Sequence, residues 1–241
     1  MQDRYTGDIG DFAKYGLLRA IRGRKRLGVA WYLHPSGGPE GDGKHIVYLQ
    51  QDARWRHLDP SLFDVLKRLV GERKRSVGAV QREGLLGRAI FAGERLDIAR
   101  VAVRQRERWR REWFEGVRNR LSNCDLVFAD PDNGVFPDHH FQPRQRDSAK
   151  RIPLAEARAL AEGRAAVIYH HNTRRRGGHH QEIQWWMGQL TTKSSAVSRD
   201  SLSVGVTTAY CCTGSTGGTR WSRLTSRTST GPCCRRAFGD R

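Results

Sequence analysis

Residues 126 to 134 read Leu126-Val127-Phe128-Ala129-Asp130-Pro131-Asp132-Asn133-Gly134. Four apolar residues run straight into an acid, and a proline and a glycine then break the run. This pattern predicts a buried strand of an α/β sheet that stops at its carboxyl end. Because ligands of such sheets bind at that edge, Asp130 is expected to stand rigidly beside a crevice. A plain turn is the alternative interpretation, since Asp, Asn, Pro and Gly all favour turns.

A second apolar run ends in the same way. Residues 165–169 predict another buried strand, and His170-His171 follows it. Because strands that alternate with helices favour a parallel sheet, the sequence predicts one Rossmann-like α/β domain over residues 1–190, with a mostly parallel sheet and helices on both faces. Further strands are expected within residues 28–35, 45–49 and 88–94, and helices within residues 11–21, 58–70, 99–120, 154–162 and 182–190.

The amino-terminal segment carries the second informative pattern. It reads Tyr5-Thr6-Gly7-Asp8-Ile9-Gly10-Asp11-Phe12-Ala13-Lys14-Tyr15-Gly16-Leu17-Leu18-Arg19-Ala20-Ile21. Apolar positions 12, 17, 18 and 21 predict one face of a helix that starts near Asp11 and is capped by Asp8 or Asp11. An ordinary amphipathic helix is one interpretation. Glycines weaken a helix, however, and this cost is easier to understand where the backbone must approach a ligand.

The chain is strongly basic, with a formal net charge of +18 and a sequence pI near 10.6. Such a charge favours a polyanion as partner and raises the rate of encounter with nucleic acid. Five arginines between residues 104 and 111 are expected to face solvent, either as a solvated surface or as one that follows phosphates.

Residues 191–241 differ in character from the rest of the chain. Thr, Ser, Gly and Arg dominate, the periodicity ends, and Asp200 and Asp240 are the acids against eight basic residues. This composition predicts a poorly ordered basic tail. A shifted reading frame is a second explanation for the change.

No apolar run is long enough to cross a membrane, and the segment from Met1 to Tyr5 lacks the apolar core of a signal peptide. The protein is therefore expected in the cytoplasm, without a membrane partner. Four of the five cysteines form the adjacent pairs Cys211-Cys212 and Cys233-Cys234. Adjacent cysteines lack the spacing of a zinc site, so neither a metal nor a disulfide is assigned to them.

The residues at the strand ends are compatible with two kinds of reaction. In methyl transfer, Asp130 accepts hydrogen bonds from a target amine, and the amino-terminal element holds a sulfonium cofactor. Such enzymes work mainly by positioning, since the methyl donor is already activated, and no metal is required. In metal-dependent cleavage of nucleic acid or a phosphodiester, a Mg, Mn or Zn ion activates water. Its ligands would come from Asp130, Asp132, His170, His171, His179 and His180.

The opening segment also resembles a known motif. The bacterial 23S ribosomal RNA adenine-N6 methyltransferases carry the element Gly-Asn-x-x-Asp-x-x-Lys-His-x-x-Leu, to which residues 7–18 are similar. Asp130-Pro131 resembles the Asp-Pro-Pro-Tyr motif of class I S-adenosylmethionine-dependent methyltransferases, and the two elements come in the same order. The resemblance implies a seven-stranded Rossmann-like sheet, a cofactor pocket lined by Lys14 and its neighbours, and Asp130 facing the target nitrogen.

The sequence departs from that motif after Asp130-Pro131. Asp132-Asn133 stands where the family has Pro-Tyr, and Phe136 is the nearby aromatic that could replace the missing one on a flipped base. The opening segment and Tyr169-His170-His171 also resemble a group of uncharacterised bacterial proteins.

The first expectation is an S-adenosylmethionine-dependent methyltransferase that acts on nucleic acid, RNA rather than DNA. A metal-dependent nuclease or phosphodiesterase is the second, and a non-catalytic nucleic-acid-binding protein the third. The two enzyme expectations depend on one geometric expectation, namely that Asp130, the helix around Lys14 and the histidines near residue 170 share a cavity. If these groups point to separate faces, a basic binding scaffold is the better description. The candidate catalytic residues are Asp130, Pro131, Asp132, Asn133, His170 and His171; the candidate cofactor contacts are Tyr5, Gly7, Asp8, Asp11, Lys14 and Glu94.

Overall fold

A computed structural model describes residues 1–35, 43–170, 176–191 and 204–207, and every structural statement below concerns these residues. Their strands are β1 (Leu27–Ala30), β2 (Ile90–Ala92), β3 (Leu126–Ala129), β4 (Val135–Phe136), β5 (Ile152–Pro153), β6 (Ala165–Tyr169) and β7 (Val204–Thr207). Their helices are α1 (Ile9–Arg22), α2 (Asp52–Trp55), α3 (Pro60–Gly71), α4 (Val77–Arg82), α5 (Arg106–Arg120), α6 (Leu154–Leu160) and α7 (Gly178–Thr191).

The main sheet has the order β2-β1-β3-β6-β7, and every pairing between its described strands is parallel. β4 and β5 form a separate parallel pair. The chain passes from β1 outward to β2 and then returns to β3 on the other side of β1, so the winding direction reverses between β1 and β3. Ligands of open α/β sheets bind at such reversals. The predicted Rossmann-like α/β fold is confirmed.

Strand side chains alternate between two hydrophobic cores. In β3, Leu126 and Phe128 join the core that contains α1, α3 and α4, which we call the α1 core. Val127 and Ala129 join the core that contains α5, α6 and Trp186 of α7, which we call the α5 core. Because both faces of β3 are covered, its sequence is a continuous apolar run rather than an alternating one.

Aspartates set the starts of two helices. Asp8 accepts a hydrogen bond from the Asp11 amide at 3.0 Å and caps α1, as the sequence predicts. Asp59 accepts from the Leu62 amide at 3.1 Å and caps α3, where Pro60 takes the first helical position. These caps satisfy amides that have no partner within the helix, which is why short polar residues precede each apolar face.

Several details of the predicted elements are wrong. β1 ends at Ala30 rather than near residue 35, and α5 begins at Arg106 rather than at residue 99. Residues 45–49 form no strand; the segment Val47–Gln50 is a 3-10 helix, because a short apolar run does not by itself separate strand from helix. Ile21 was expected on the buried face of α1, yet it is 38% exposed, and Asp11 and Lys14 are buried there instead. A buried ion pair replaces apolar contacts on that face, which apolar periodicity does not reveal.

β7 lies within residues 191–241, the segment that composition marks as a tail, and pairs with β6. Residues 192–203 and 208–241 lie outside the described residues. The poorly ordered tail, the boundary at residue 190 and the shifted reading frame therefore stay predictions. In the part of the chain that the structure describes, no helix is long and apolar enough to span a membrane.

Candidate functional site

The carboxyl end of β3 carries a buried ion-pair cluster. Lys14 Nζ lies 2.9 Å from Asp130 Oδ2 and 2.8 Å from Asp11 Oδ1, and the three side chains are at most 6% exposed. The same ammonium stands over the ring of Tyr169, 4.6 Å from its centroid. We call these four residues the lysine cluster. Because a buried charge needs a partner, the cluster ties α1 to the ends of β3 and β6.

Strand register explains why these side chains meet. Ala129 pairs with Ile168, so the residues that follow, Asp130 and Tyr169, lie side by side at the edge of the sheet. Both point to the α1 core, since Phe128, two residues before Asp130, already lies there. The helix that bears the lysine packs against this same face. The predicted approach of Asp130 to the opening helix is therefore present in the structure.

Burial shifts the pKa values in and around the lysine cluster. It raises the pKa of Asp11 from 3.8 to about 7, although Lys14 acts in the opposite direction. It also raises the pKa of Asp8, the cap of α1. Burial lowers the pKa of Lys14, but Asp11 and Asp130 outweigh it and hold that pKa well above its usual value. Lys14 therefore stays charged, and Asp11 is a group that titrates near neutral pH.

Gly7, in the loop before α1, is bound to the same cluster. Its amide donates to Asp11 Oδ2 at 3.1 Å, and its carbonyl accepts from the Tyr48 hydroxyl at 3.1 Å. Gly7 has a φ of +82°, and a Cβ there would lie 2.7 Å from Val70 Cγ2. Backbone geometry and packing against α3 therefore both require glycine at this position.

The turn after Asp130 is held by the first two residues of the chain. The Met1 ammonium lies 2.6 Å from Asp132 Oδ1 and donates to the carbonyl oxygens of Asp130 and Tyr32, each at 2.9 Å. Gln2 Nε2 donates to the other Asp132 oxygen at 2.6 Å. Burial raises the pKa of Asp132, but the ammonium and Gln2 together bring it below its usual value. Both carboxylate oxygens of Asp132 are thus engaged by protein groups.

His170 lies on the other face of the sheet from the lysine cluster, because successive side chains of a strand point to opposite faces. Its ring packs at 5.2 Å, edge to face, against Trp186 of the α5 core. The Val135 amide donates to Nδ1 at 3.0 Å, and Nε2 lies 3.1 Å from Glu182 Oε1. The structure therefore does not bring this histidine into the lysine cluster as the sequence leads one to expect.

The other predicted catalytic residues have separate surroundings. Pro131 is buried, whereas Asn133 is exposed and its amide donates to the Lys150 carbonyl at 2.7 Å. His171 and the side chain of His179 lie outside the described residues.

The remaining predicted cofactor contacts are Tyr5 and Glu94, and neither lines the cavity described next. Tyr5 belongs to the 3-10 turn Asp3–Tyr5 and packs against the α1 core. Glu94 is exposed just after β2, and its carbonyl accepts from the Trp113 indole at 3.0 Å.

A cavity of about 370 Å³ opens at the carboxyl ends of β1 and β2. Small-molecule sites measure roughly 300–1,000 Å³, so the cavity is large enough for a ligand. No sequence pattern singled out its walls, although the positions of the strand ends point to residues 33 and 91–95. Its walls include Asp3, Leu33, Gln81, Phe91, Gly93 and Arg95. Asp130, Lys14 and His170 do not line it, so the cavity that these three residues were expected to share is not this one.

The arrangement does not favour the metal-dependent alternative. Within the described residues, no group of three His, Cys, Asp or Glu side chains is placed to hold a metal ion. Asp130 is paired with Lys14 and Asp132 with the Met1 ammonium, and each of these cations would repel a metal ion.

Arg110 was expected on the surface but is buried beside the site. Arg110 of α5 is 2% exposed, binds both oxygens of Glu156 at 2.8 and 2.9 Å, and donates to the carbonyls of Ser148 and Arg151. The Tyr32 hydroxyl donates to Glu156 at 2.8 Å. This network joins α5 and α6 to the segment after Asp130. Arg106 of the same helix, also expected to face solvent, is buried as well. The run of arginines carries no local signal that separates these two from the exposed ones.

Comparison of the chain with known protein families, with curated proteins and with solved structures found no match.

Proposed function

We propose that this protein is an S-adenosylmethionine-dependent methyltransferase that acts on nucleic acid, RNA rather than DNA. The observation that carries the proposal is the position of the cavity at the carboxyl ends of β1 and β2. β1 borders the point between β1 and β3 where the winding of the sheet reverses, and the cavity lies on the β2 side of β1. Cofactors that contain a nucleoside bind at such reversals in Rossmann-like enzymes.

The residues that line the cavity fit the chemistry of this cofactor. Phe91 and Leu33 offer apolar surface to an adenine ring, and Gln81 and Asp3 offer hydrogen-bonding groups to its amino group and to ribose hydroxyls. The side chain of Arg95 is 59% exposed and lies 3.6 Å from Asp3, so the cofactor's carboxylate would compete with Asp3 for this guanidinium. When bound, the cofactor supplies an already activated methyl group, so the protein contributes position and exclusion of water.

Asp130 and Lys14 have distinct roles in the proposal. Asp130 is 1% exposed and lies outside the cavity walls, so the target amine must displace the side chains that cover it before this carboxylate can accept its hydrogen bond at the end of β3. Lys14 holds that carboxylate in place through the 2.9 Å contact. The amine must therefore share the carboxylate with the Lys14 ammonium or displace that ammonium. Glu94 follows Gly93 of the cavity wall and remains the candidate ribose contact.

Two observations support nucleic acid as the substrate class. The net charge of +18 attracts a polyanion. The likeness of the opening segment to ribosomal RNA methyltransferases favours RNA, in which unpaired bases are open to an enzyme without melting of a duplex.

Calorimetry with S-adenosylmethionine tests the cofactor site. A Cβ at Gly93 would meet its nearest atoms, in Gln81 and Trp31, at 3.7 Å, so a larger side chain can enter the cavity without a backbone clash. We expect Gly93→Leu to weaken binding at least about tenfold, which corresponds to about 1.4 kcal/mol. Gly116→Leu is the matched control, because a Cβ there meets nothing within 4 Å. Absence of cofactor binding by folded wild-type protein would refute the proposal.

Transfer of a labelled methyl group to transcribed RNA and to duplex DNA tests the reaction. We expect transfer to RNA, and its loss in Asp130→Asn while cofactor binding persists. Salt-dependent RNA binding without transfer would favour the non-catalytic alternative. Cleavage of either nucleic acid that requires Mg, Mn or Zn and stops with EDTA would favour the nuclease.

A further inference from the structure

His170 is held by hydrogen bonds at both ring nitrogens. The Val135 amide donates to Nδ1 at 3.0 Å, so Nδ1 carries no proton. Nε2 then carries the proton and donates to Glu182 Oε1 at 3.1 Å. The side chains of His170 and Glu182 are 2% and 3% exposed, which makes both contacts hard to replace by water. The geometry therefore requires a neutral imidazole protonated on Nε2.

Gly134 shows that the turn after Asp130 is built around this ring. Its φ is +73°, and a Cβ at this position would overlap Nδ1 of His170 and lie 2.9 Å from the histidine Cα. The imidazole thus occupies the space that any side chain at position 134 would need. Turn and histidine are matched to each other in shape as well as in hydrogen bonding.

The opposite side of the turn is bound to β5 and the residues before it. The Asn133 amide donates to the Lys150 carbonyl at 2.7 Å, and the Ile152 amide donates to the Gly134 carbonyl at 3.0 Å. Val135 pairs with Ile152 in the β4–β5 pair. The turn is therefore clamped between β5 and the histidine, directly after Asp130.

Helix α7 completes the arrangement. Glu182 and Trp186 lie one helical turn apart, and Trp186 is 4% exposed while its ring packs against His170. Docking of α7 through the tryptophan places the glutamate that orients the imidazole.

We propose that His170 is a positioning residue: its Nδ1 fixes the turn of residues 131–135, and Glu182 keeps its ring in the required tautomer. It acts on Asp130 through this turn and contacts neither substrate nor metal. The consequence for catalysis rests on the proposed methyl transfer, whereas the consequence for the turn does not.

Amide hydrogen exchange of the full chain, measured by NMR, tests the turn. An asparagine at position 170 can place an acceptor where Nδ1 lies, while a glutamine places its amide nearer to Nε2. We expect protection of the Val135 amide to stay within about threefold in His170→Asn and to fall at least about tenfold in His170→Gln. Equal protection in the two variants would overturn the proposal.

Nitrogen-15 NMR of the wild-type imidazole needs no variant and so does not depend on how substitutions fold. We expect His170 to show a proton on Nε2 and a bare Nδ1. A ring protonated on Nδ1 at neutral pH would overturn the proposal.

The methyl-transfer assay tests the catalytic consequence. We expect His170→Gln to lower kcat at least about tenfold while the cofactor Kd stays within about twofold, because the turn and not the cavity is disturbed. An unchanged kcat would overturn the link to Asp130. If wild-type protein transfers no methyl group but the exchange pattern holds, the proposed function fails and the positioning role stands.

Discussion

Replacement of Lys14 by methionine is expected to cost about 3–5 kcal/mol of unfolding free energy near neutral pH, because it removes one partner of a buried ion pair. Methionine keeps much of the side-chain volume, so the loss reflects charge rather than a cavity. Asp11 and Asp130 would stay buried without the ammonium that lies 2.8 and 2.9 Å from them.

The largest loss of unfolding free energy that this substitution can cause depends on pH. A buried carboxylate without its cation takes up a proton, which for an ordinary Asp pKa of about 3.9 costs about 4 kcal/mol at about pH 7 and about 1.5 kcal/mol at about pH 5. Burial already raises the pKa of Asp11 to about 7, so this carboxyl group takes up a proton at little cost near neutral pH once Lys14 is removed. A carboxyl group with a raised pKa binds more protons in the folded state, so Lys14→Met regains stability as the pH falls.

Urea unfolding followed by tryptophan fluorescence near pH 7 and near pH 5 measures both effects. Lys67→Met is the matched control, because Lys67 also pairs with an aspartate at 2.7 Å but its side chain is 46% exposed. It should cost less than about 1 kcal/mol at either pH. Equal losses for the two variants, or a loss in Lys14→Met that does not change with pH, would refute this reasoning.

Three further predictions test the site and its frame. Burial raises the pKa of Asp11 from 3.8 to about 7, so ionisation of this group makes the wild type less stable as the pH rises from about 4 to about 7. Asp11→Asn should remove this loss. If urea unfolding shows the same stability difference between variant and wild type across this range, the prediction is contradicted. Arg110→Met should cost about 3–5 kcal/mol against less than about 1 kcal/mol for Arg108→Met on the exposed face of the same helix, and similar thermal midpoints would count against the buried network. Gly134→Ala and Gly163→Ala both place alanine at positive φ, +73° and +70°. The strain at 163 should cost about 1–2 kcal/mol and the added overlap at 134 about 1–3 kcal/mol more, so equal denaturation midpoints would disprove the contact.

Local patterns predicted the parts of the fold that local physics controls. The strands at residues 126–129 and 165–169 are confirmed because a parallel strand covered on both faces must be apolar throughout. The cap at Asp8 is confirmed because it depends on residues within one helical turn. The strand predicted at residues 45–49 is wrong because pairing with a sheet edge is not a local property.

The candidate site was predictable in part. Asp130 and Lys14 were both selected from sequence, and their contact follows once α1 packs beside the end of β3. The walls of the cavity and the buried Arg110 were missed because their neighbours come from distant parts of the chain.

The sequence by itself determined where β3 and β6 stop and that ionisable side chains follow them, since each strand is a short apolar run that ends at an acid or a histidine. Only the tertiary structure decided which of those side chains meet. Asp130 and Tyr169 point to the face that α1 covers, and His170 points to the face that α7 covers. The alternation of side chains along a strand follows from local backbone geometry. Which helix covers each face depends on packing between distant segments of the chain.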